Sequence, residues 1–479
     1  MNNKNNVKAP WLDNYGNVPP TLEYFEGTMY DAVDIIAKRY PQYIVYDFMG
    51  RKTTYKAFMK SVERCARALR AIGIRAGDRV TICMPNCPQT VIMFYAVNVV
   101  GAVANMVHPL SSENEIEFYI RESKSILAIT SNVIIASIKD EISQPIKAGY
   151  MLTEGRKIEK IPKDAPIMTW NYFMRLGDRY HWKYRVERAA NDPAVILYSG
   201  GTTGTTKGIL LSNKNFNALG AQIIATNPMF RPGDKMLAVM PMFHGFGLGV
   251  SIHSMLVNGG RCILVPRFTA ASYAKLIKKY KCNFIAGVPT LYEALIRQPV
   301  MNGVDLSCLK GVFSGGDSLS IELKKKFDKF LYDHNASVQI REGYGTTECV
   351  TASCLTPIHM AKEGSIGQPF PDTFYKIVKV GTTEEQPYGE EGEICISGPT
   401  VMLGYLDRPE ETADTMRTHA DGLTWVHTGD LGVMDDEGFV YFRQRIKRMI
   451  VTSGYNVYPS QLENIIDAHD LVQMSCVIG

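Results

Sequence analysis

No two of the ten cysteines form a C-x-x-C pair, and no Cys/His grouping has zinc-finger spacing; the nearest pairs are Cys83/Cys87 and Cys349/Cys354. Scattered thiols of this kind argue against a disulfide framework and predict a reducing, cytoplasmic location. Charge of one sign is missing too. The chain carries 52 Lys and Arg against 48 Asp and Glu, a net +4, which is too little for the counterion release that drives dedicated nucleic-acid binding. The first eleven residues are Asn- and Lys-rich without an apolar core, so no secretory leader is expected. Long charge-free runs are rare. Val80 to Ser112 is the exception, and within it Val91 to Val107 approaches the length of a membrane span. Pro85 and Pro88 at its start, Asn98 and Asn105 inside it, and the lack of a second such run predict a buried helix instead. No transmembrane segment is expected, and peripheral membrane contact is left open.

What is present is a chain able to bury several cores. Its 479 residues amount to about three domain-equivalents, and 46% are hydrophobic. Up to residue 190, helical periods at Met29 to Arg39, Thr54 to Ile72 and Asn114 to Glu122 alternate with β-branched runs at Arg79 to Met84 and Ile126 to Thr130. That order predicts a parallel sheet covered by helices. Over 191–362 the alternation resumes through Lys235 to Met240, Arg261 to Val265, Phe284 to Gly287 and Gly311 to Ser314, followed by a helix at Ile321 to Leu331. From 363 to 444 short strands with Gly, Pro and Asp turns (Tyr375 to Val380, Gly392 to Ser397, Gly438 to Phe442) predict an antiparallel or barrel-like third piece. Polar stretches at Lys139 to Ala165 and Gly381 to Glu391 read as surface loops.

The densest chemical signal is Tyr198-Ser199-Gly200-Gly201-Thr202-Thr203-Gly204-Thr205-Thr206-Lys207-Gly208, directly after the apolar run Ala194 to Leu197. Glycines let backbone amides approach an oxyanion, threonines add hydroxyl donors and Lys207 adds a compact positive charge, so a nucleoside triphosphate is the expected ligand. It is not a Walker A loop, because Thr206 stands where that motif needs glycine and Gly208 where it needs Ser or Thr. Nor is Gly245 to Val250 a dinucleotide fingerprint, since the final glycine is missing. Arg341 to Glu348 sets an aromatic, two hydroxyls and a carboxylate close together, a kit for base stacking, phosphate contact and magnesium ligation. Thr428-Gly429-Asp430 offers a carboxylate to a ribose diol, although alone it reads as turn chemistry. There is no G-x-S-x-G nucleophile elbow.

In this order and spacing the segments resemble the adenylate-forming superfamily of acyl-CoA synthetases, coumarate-type ligases and beetle luciferases. The resemblance extends over Pro241-Met242-Phe243-His244, Ser314-Gly315-Gly316, Gly392-Glu393-Ile394 with Gly398, Gly404-Tyr405, Arg445-Ile446-Lys447 and Gly454 to Pro459 with Glu463. It implies an α/β fold: a large N-terminal adenylation domain of two helix-covered sheets (1–190 and 191–362) plus a β-rich subdomain (363–444), then a hinge and a truncated small α+β C-terminal lobe (445–479). It also implies that Thr202, Thr203, Gly204 and Lys207 hold the triphosphate of ATP, that Tyr344 stacks on adenine beside Gly315 and Gly316, and that Thr347 contacts the α-phosphate. Glu348 would bind Mg2+, Asp430 and Arg445 would grip the ribose, His244 would line the acid side, and Lys447 would be the hinge between lobes. Taken alone, His244 reads as a core histidine; the motif around it changes that reading.

The activity so implied is ATP-dependent conversion of a carboxylic acid to an acyl adenylate, followed by transfer to coenzyme A with release of AMP. A medium- or long-chain fatty acid is the first expectation, from the apolar candidates Met240, Met242, Phe243, Phe246, Leu248, Val288, Val350 and Ala352, and an aryl acid is the second. After Arg445 only 34 residues follow, against on the order of a hundred for a separate lobe, and none matches the family's Pro/Gly-Lys adenylation motif. The expectation is therefore ATP binding with adenylation that is slow or absent. Two other readings stand beside it: a non-catalytic ATP or acyl-adenylate binding protein, and a kinase-like phosphotransferase that would release ADP.

Overall fold

Six parallel strands form the centre of the larger sheet, in the order Ile340–Tyr344, Gly311–Ser314, Phe284–Gly287, Lys235–Ala238, Arg261–Leu264 and Ile44–Phe48. Antiparallel strands close both flanks: Arg51–Thr54 on one, and Cys354–Leu355 followed by Gln368–Pro369 on the other. The computed structural model describes residues 7–129, 133–143, 146–152, 167–199, 206–448, 450–452, 455–457, 459–467, 469, 472 and 475–478. A second sheet runs Arg79–Ile82, Val103–Met106 and Pro193–Tyr198 in parallel, then Gly208–Ser212 and Gly404–Tyr405 antiparallel. The third is antiparallel throughout: Phe374–Val378, Gly392–Ser397, Thr424–Met434, then Met416–Thr418 and Val440–Arg445, both paired to Thr424–Met434. The chain thus crosses between the first two sheets on both sides of residue 190, with Ile44–Phe48 in one and Pro193–Tyr198 in the other.

Local chemistry explains the helices that cover these sheets. Met29–Arg39 begins with a capping box between Thr28 and Asp31 and buries Met29, Tyr30, Val33 and Ala37. Tyr55–Ala71 begins at Thr54, whose hydroxyl accepts from the Ala57 amide, and buries one stripe from Tyr55 to Leu69. The charge-free segment is partly as expected. Its helix, Pro88–Val99, is buried at all twelve positions, but it stops before Gly101, whose φ of +75° favours glycine, and the chain continues as the strand Val103–Met106. Among the described residues no helix is long and apolar enough to cross a membrane.

Two local expectations are corrected. Ile126–Ile129 is a short helix rather than a strand. The polar stretch from Lys139 contains a helix at Ile146–Leu152, and residues 153–166 lie outside the described set. The apolar run there is too short for periodicity to separate helix from strand.

Candidate active site

The larger sheet delivers two of the sequence motifs to the C-terminal ends of neighbouring parallel strands, the edge at which open α/β sheets bind ligands. Gly311–Ser314 ends into Gly315 and Gly316, while Ile340–Tyr344 ends at Tyr344 and leads into the 3-10 turn Thr347–Cys349 that carries Thr347 and Glu348. A methyl group added at Gly315 would sit 3.2 Å from the Gly343 carbonyl and 3.8 Å from the Phe246 ring; one at Gly316 would sit 3.6 Å from Val288. The glycine turn therefore lies against candidate acid-wall side chains. The Ser314 Oγ and Thr346 Oγ1 hydroxyls are buried beside it without a hydrogen-bond partner.

Tyr344 donates its hydroxyl to Asp430 Oδ2 at 2.7 Å, and its ring lies 6.0 Å from that of Phe442. Asp430 and Arg445 are register partners on adjacent strands of the β-rich sheet, which fixes them on one face. Arg445 Nε stands 3.6 Å from Asp430 Oδ1, beyond good hydrogen-bond range, and Oδ1 is buried with no hydrogen-bond partner. Burial pushes the Asp430 carboxyl up to about 6, although the Tyr344 hydroxyl and Arg445 favour its ionised form. A buried carboxylate oxygen left uncommitted suits a ligand that brings its own hydroxyl donors, as a ribose diol does.

Tyr405 joins two further motifs. Its hydroxyl donates to Glu348 Oε1 at 2.8 Å, and the Lys207 ammonium lies 4.6 Å from its ring centroid. Lys207 Nζ also pairs with Glu411 Oε2 at 2.6 Å; Lys207 and Arg408 hold that carboxyl below its ordinary range. Pairing of Gly404–Tyr405 with Gly208–Ser212 is what brings Tyr405 to Lys207. A cation suited to phosphate and a carboxylate suited to a hard divalent ion thus flank one aromatic ring. Thr202, Thr203 and Gly204 lie outside the described residues.

His244 is half-buried at the entry to the helical stretch Phe246–His253, and its Nδ1 accepts the Phe246 amide at 3.1 Å. Burial lowers its pKa, so the ring is neutral and carries its proton on Nε2. The next residue must be glycine, since a Cβ at Gly245 would lie 1.7 Å from the Val350 carbonyl. This contact presses the His244 segment against the loop that carries Glu348. Met242, Phe246, Leu248 and Val350 belong to the main core, with Met240, Phe243 and Ala352 packed on it, while Val288 borders a second core. His253, by contrast, is fully buried between Tyr95 and Asn217 and is an ordinary core histidine.

Lys447 lies two positions after Arg445, exposed in the 3-10 turn Ile446–Arg448. Sequence reasoning gave Tyr405 only as part of a matched dipeptide and missed Glu411. An aromatic six residues from a Glu on a polar segment carries no signal until strand pairing places it.

Comparison with known proteins identifies the family and the fold. The profile of the AMP-binding enzyme family matches residues 33–406. A long-chain-fatty-acid–CoA ligase of Bacillus subtilis (strain 168) is 34% identical over 98% of this chain and 86% of its own length. A probable 4-coumarate–CoA ligase of Dictyostelium discoideum is 30% identical over 88% of this chain and 76% of its own. Among solved structures, a long-chain-fatty-acid-CoA ligase from Archaeoglobus fulgidus superposes with a TM-score of 0.76 at 23% identity, covering 96% of this chain and 90% of that one, which supports the α/β fold.

Proposed function

The chain belongs to the AMP-binding enzyme family, in its acyl-CoA synthetase branch, and from that premise we propose that it activates a medium- or long-chain fatty acid with ATP and transfers the acyl group to coenzyme A. The observation that carries the reading is the Tyr344, Asp430 and Arg445 cluster, whose buried Asp430 Oδ1 makes no hydrogen bond. Tyr344 stacks on the adenine beside Gly315 and Gly316, and Asp430 accepts the ribose hydroxyls. Lys207 exchanges Glu411 for the triphosphate, with Thr202, Thr203 and Gly204 as further donors, and Thr347 contacts the α-phosphate. His244 presents Nε2–H to a carboxylate oxygen of the acid.

A carboxylate oxygen attacks the α-phosphorus in line, and the bond to pyrophosphate breaks. The protein's share is orientation and charge compensation rather than a covalent nucleophile. Glu348, whose carboxylate is held by Tyr405, would bind Mg2+, which would offset the charge of the phosphate oxygens. In the second half, the sulfur of coenzyme A attacks the acyl carbon and the bond to AMP breaks. Rotation about Lys447 opens the approach for that thiol. Ten unpaired cysteines fit a cytoplasmic setting.

The test is acid-dependent exchange of labelled pyrophosphate into ATP over a panel of fatty, aryl and short acids. Exchange led by fatty acids supports the proposal. Exchange led by an aryl acid would favour the second reading, which the coumarate ligase relative motivates. ADP among the products would indicate a phosphotransferase, and tight ATP binding without exchange a sensor.

A further inference from the structure

We propose that Cys395, His419 and His427 form a binding site for a thiophilic divalent cation of the zinc class, separate from the Mg2+ assigned to Glu348. The three residues stand 24 and 8 positions apart in sequence, a spacing with no motif value, and the β-rich sheet assembles them. Cys395 on Gly392–Ser397 and His427 on Thr424–Met434 are register partners. His419 follows the edge strand Met416–Thr418, which pairs with the same Thr424–Met434 strand. All three are buried, and their donor atoms lie within 4.8 Å of one another.

The distances suit a shared ion. His419 Nε2 and His427 Nε2 are 3.1 Å apart. Two imidazole nitrogens on one tetrahedral zinc, each with a bond of about 2.0–2.1 Å, are separated by about 3.3 Å. The supporting shell is present as well. His427 Nδ1 lies 2.9 Å from Glu393 Oε2, the carboxylate–histidine arrangement that directs the Nε2 lone pair toward a metal. Trp425 stacks on the His419 ring at 5.6 Å, and Cys395 is enclosed with Val378 and Trp425, so the site is largely closed off.

Without a cation the arrangement is poorly satisfied. His419 has to spend its Nε2 proton on His427, and its buried Nδ1 then faces no partner. One thiolate with two imidazoles selects zinc-like or cuprous ions over Mg2+ or Ca2+. Binding releases the Cys395 thiol proton to solvent, and the thiolate together with the Glu393 carboxylate balances a double positive charge. Lys376, on the strand beside Cys395, is already neutralised by Asp421.

The site has a line to the nucleotide cluster. Glu393 holds His427 with one carboxylate oxygen and accepts the Gly429 amide with the other, at 2.9 Å, and Gly429 precedes Asp430. A cation that fixes His427 therefore fixes Glu393 and the turn that aims Asp430.

The experiment loads the purified chain with Zn2+ or Co2+ and measures metal per chain together with the electronic spectrum of the cobalt form. About one metal per chain and a thiolate-to-cobalt charge-transfer band are expected. Both should be lost in Cys395→Ser and in His419→Gln, and kept in the exposed-thiol control Cys476→Ser. Folded wild-type protein with no band, or a band that survives in both site variants, would overturn the proposal. If the variants fail to fold, zinc-edge X-ray absorption on wild type decides: one sulfur and two imidazoles are expected, with a light atom from solvent as the fourth ligand, and a coordination without sulfur or without imidazole refutes the assignment.

Discussion

Replacing Asp430 by Asn should stabilise the unliganded protein while weakening its grip on ATP. Burial raises the Asp430 carboxyl from an ordinary 3.8 to about 6 in the folded chain. Each unit corresponds to about 1.36 kcal/mol, so keeping this group ionised inside the fold costs up to about 3 kcal/mol at neutral pH. Because the folded value is the higher one, the cost is absent below pH 4, where both states are protonated. It grows as pH rises from 4 to 6 and is complete above 6. Asparagine has no such titration, and its amide oxygen can still accept the Tyr344 hydroxyl. The thermal midpoint of Asp430→Asn minus that of wild type should therefore be near zero or negative at pH 4.5 and positive at pH 7.5. Glu342, whose carboxyl burial pushes up to about 7, titrates in both proteins and cancels in the difference. ATP affinity should fall by roughly 10- to 100-fold in the variant, the worth of one or two hydrogen bonds to a charged acceptor. A midpoint difference that does not change with pH, or a variant that binds ATP as wild type does, would refute the reasoning.

Lys207→Ala should raise the Kd for ATP by about 10-fold or more, whereas Glu411→Gln, which frees Lys207 from a half-exposed pair worth under about 1 kcal/mol, should lower it by up to about 3-fold; isothermal titration distinguishes the two signs. Glu348→Gln preserves the contact with Tyr405 but removes the charge, so pyrophosphate exchange should fall by about 100-fold or more while ATP binding measured without Mg2+ persists. Gly245→Ala forces a methyl into the Val350 carbonyl and should destabilise the fold by about 2–4 kcal/mol in denaturant titration; unchanged stability would show that the two segments part easily.

The fold was legible where local signals agree. Thr28 and Asp31 mark the start of Met29–Arg39 in the sequence itself, and Gly398-Pro399 marks the end of the strand Gly392–Ser397. It was illegible where burial is complete on all sides, because Pro88–Val99 and Val103–Met106 are both apolar and only the turn at Gly101 separates them. The candidate site residues Lys207, Tyr344, Glu348, Asp430 and Arg445 could be named from motifs, since each motif is local. The bonds that organise them could not. Tyr405 reaches Glu348 and Lys207 through strand pairing, and Cys395 meets His419 and His427 through register, neither of which a one-dimensional spacing encodes.

Ile44–Phe48 finds its parallel neighbour in Arg261–Leu264, and Gly208–Ser212 waits for Gly404–Tyr405. On the ribosome, the first of these strands emerges long before its partner and must be kept from other exposed edges in the meantime. Closing such distant pairs is slow, and no early fragment of the chain is a self-sufficient unit. Expression of residues 1–190 alone should therefore yield aggregate rather than a small soluble domain, and refolding of the whole chain should depend on protein concentration and on chaperones far more than on the stability of the finished molecule.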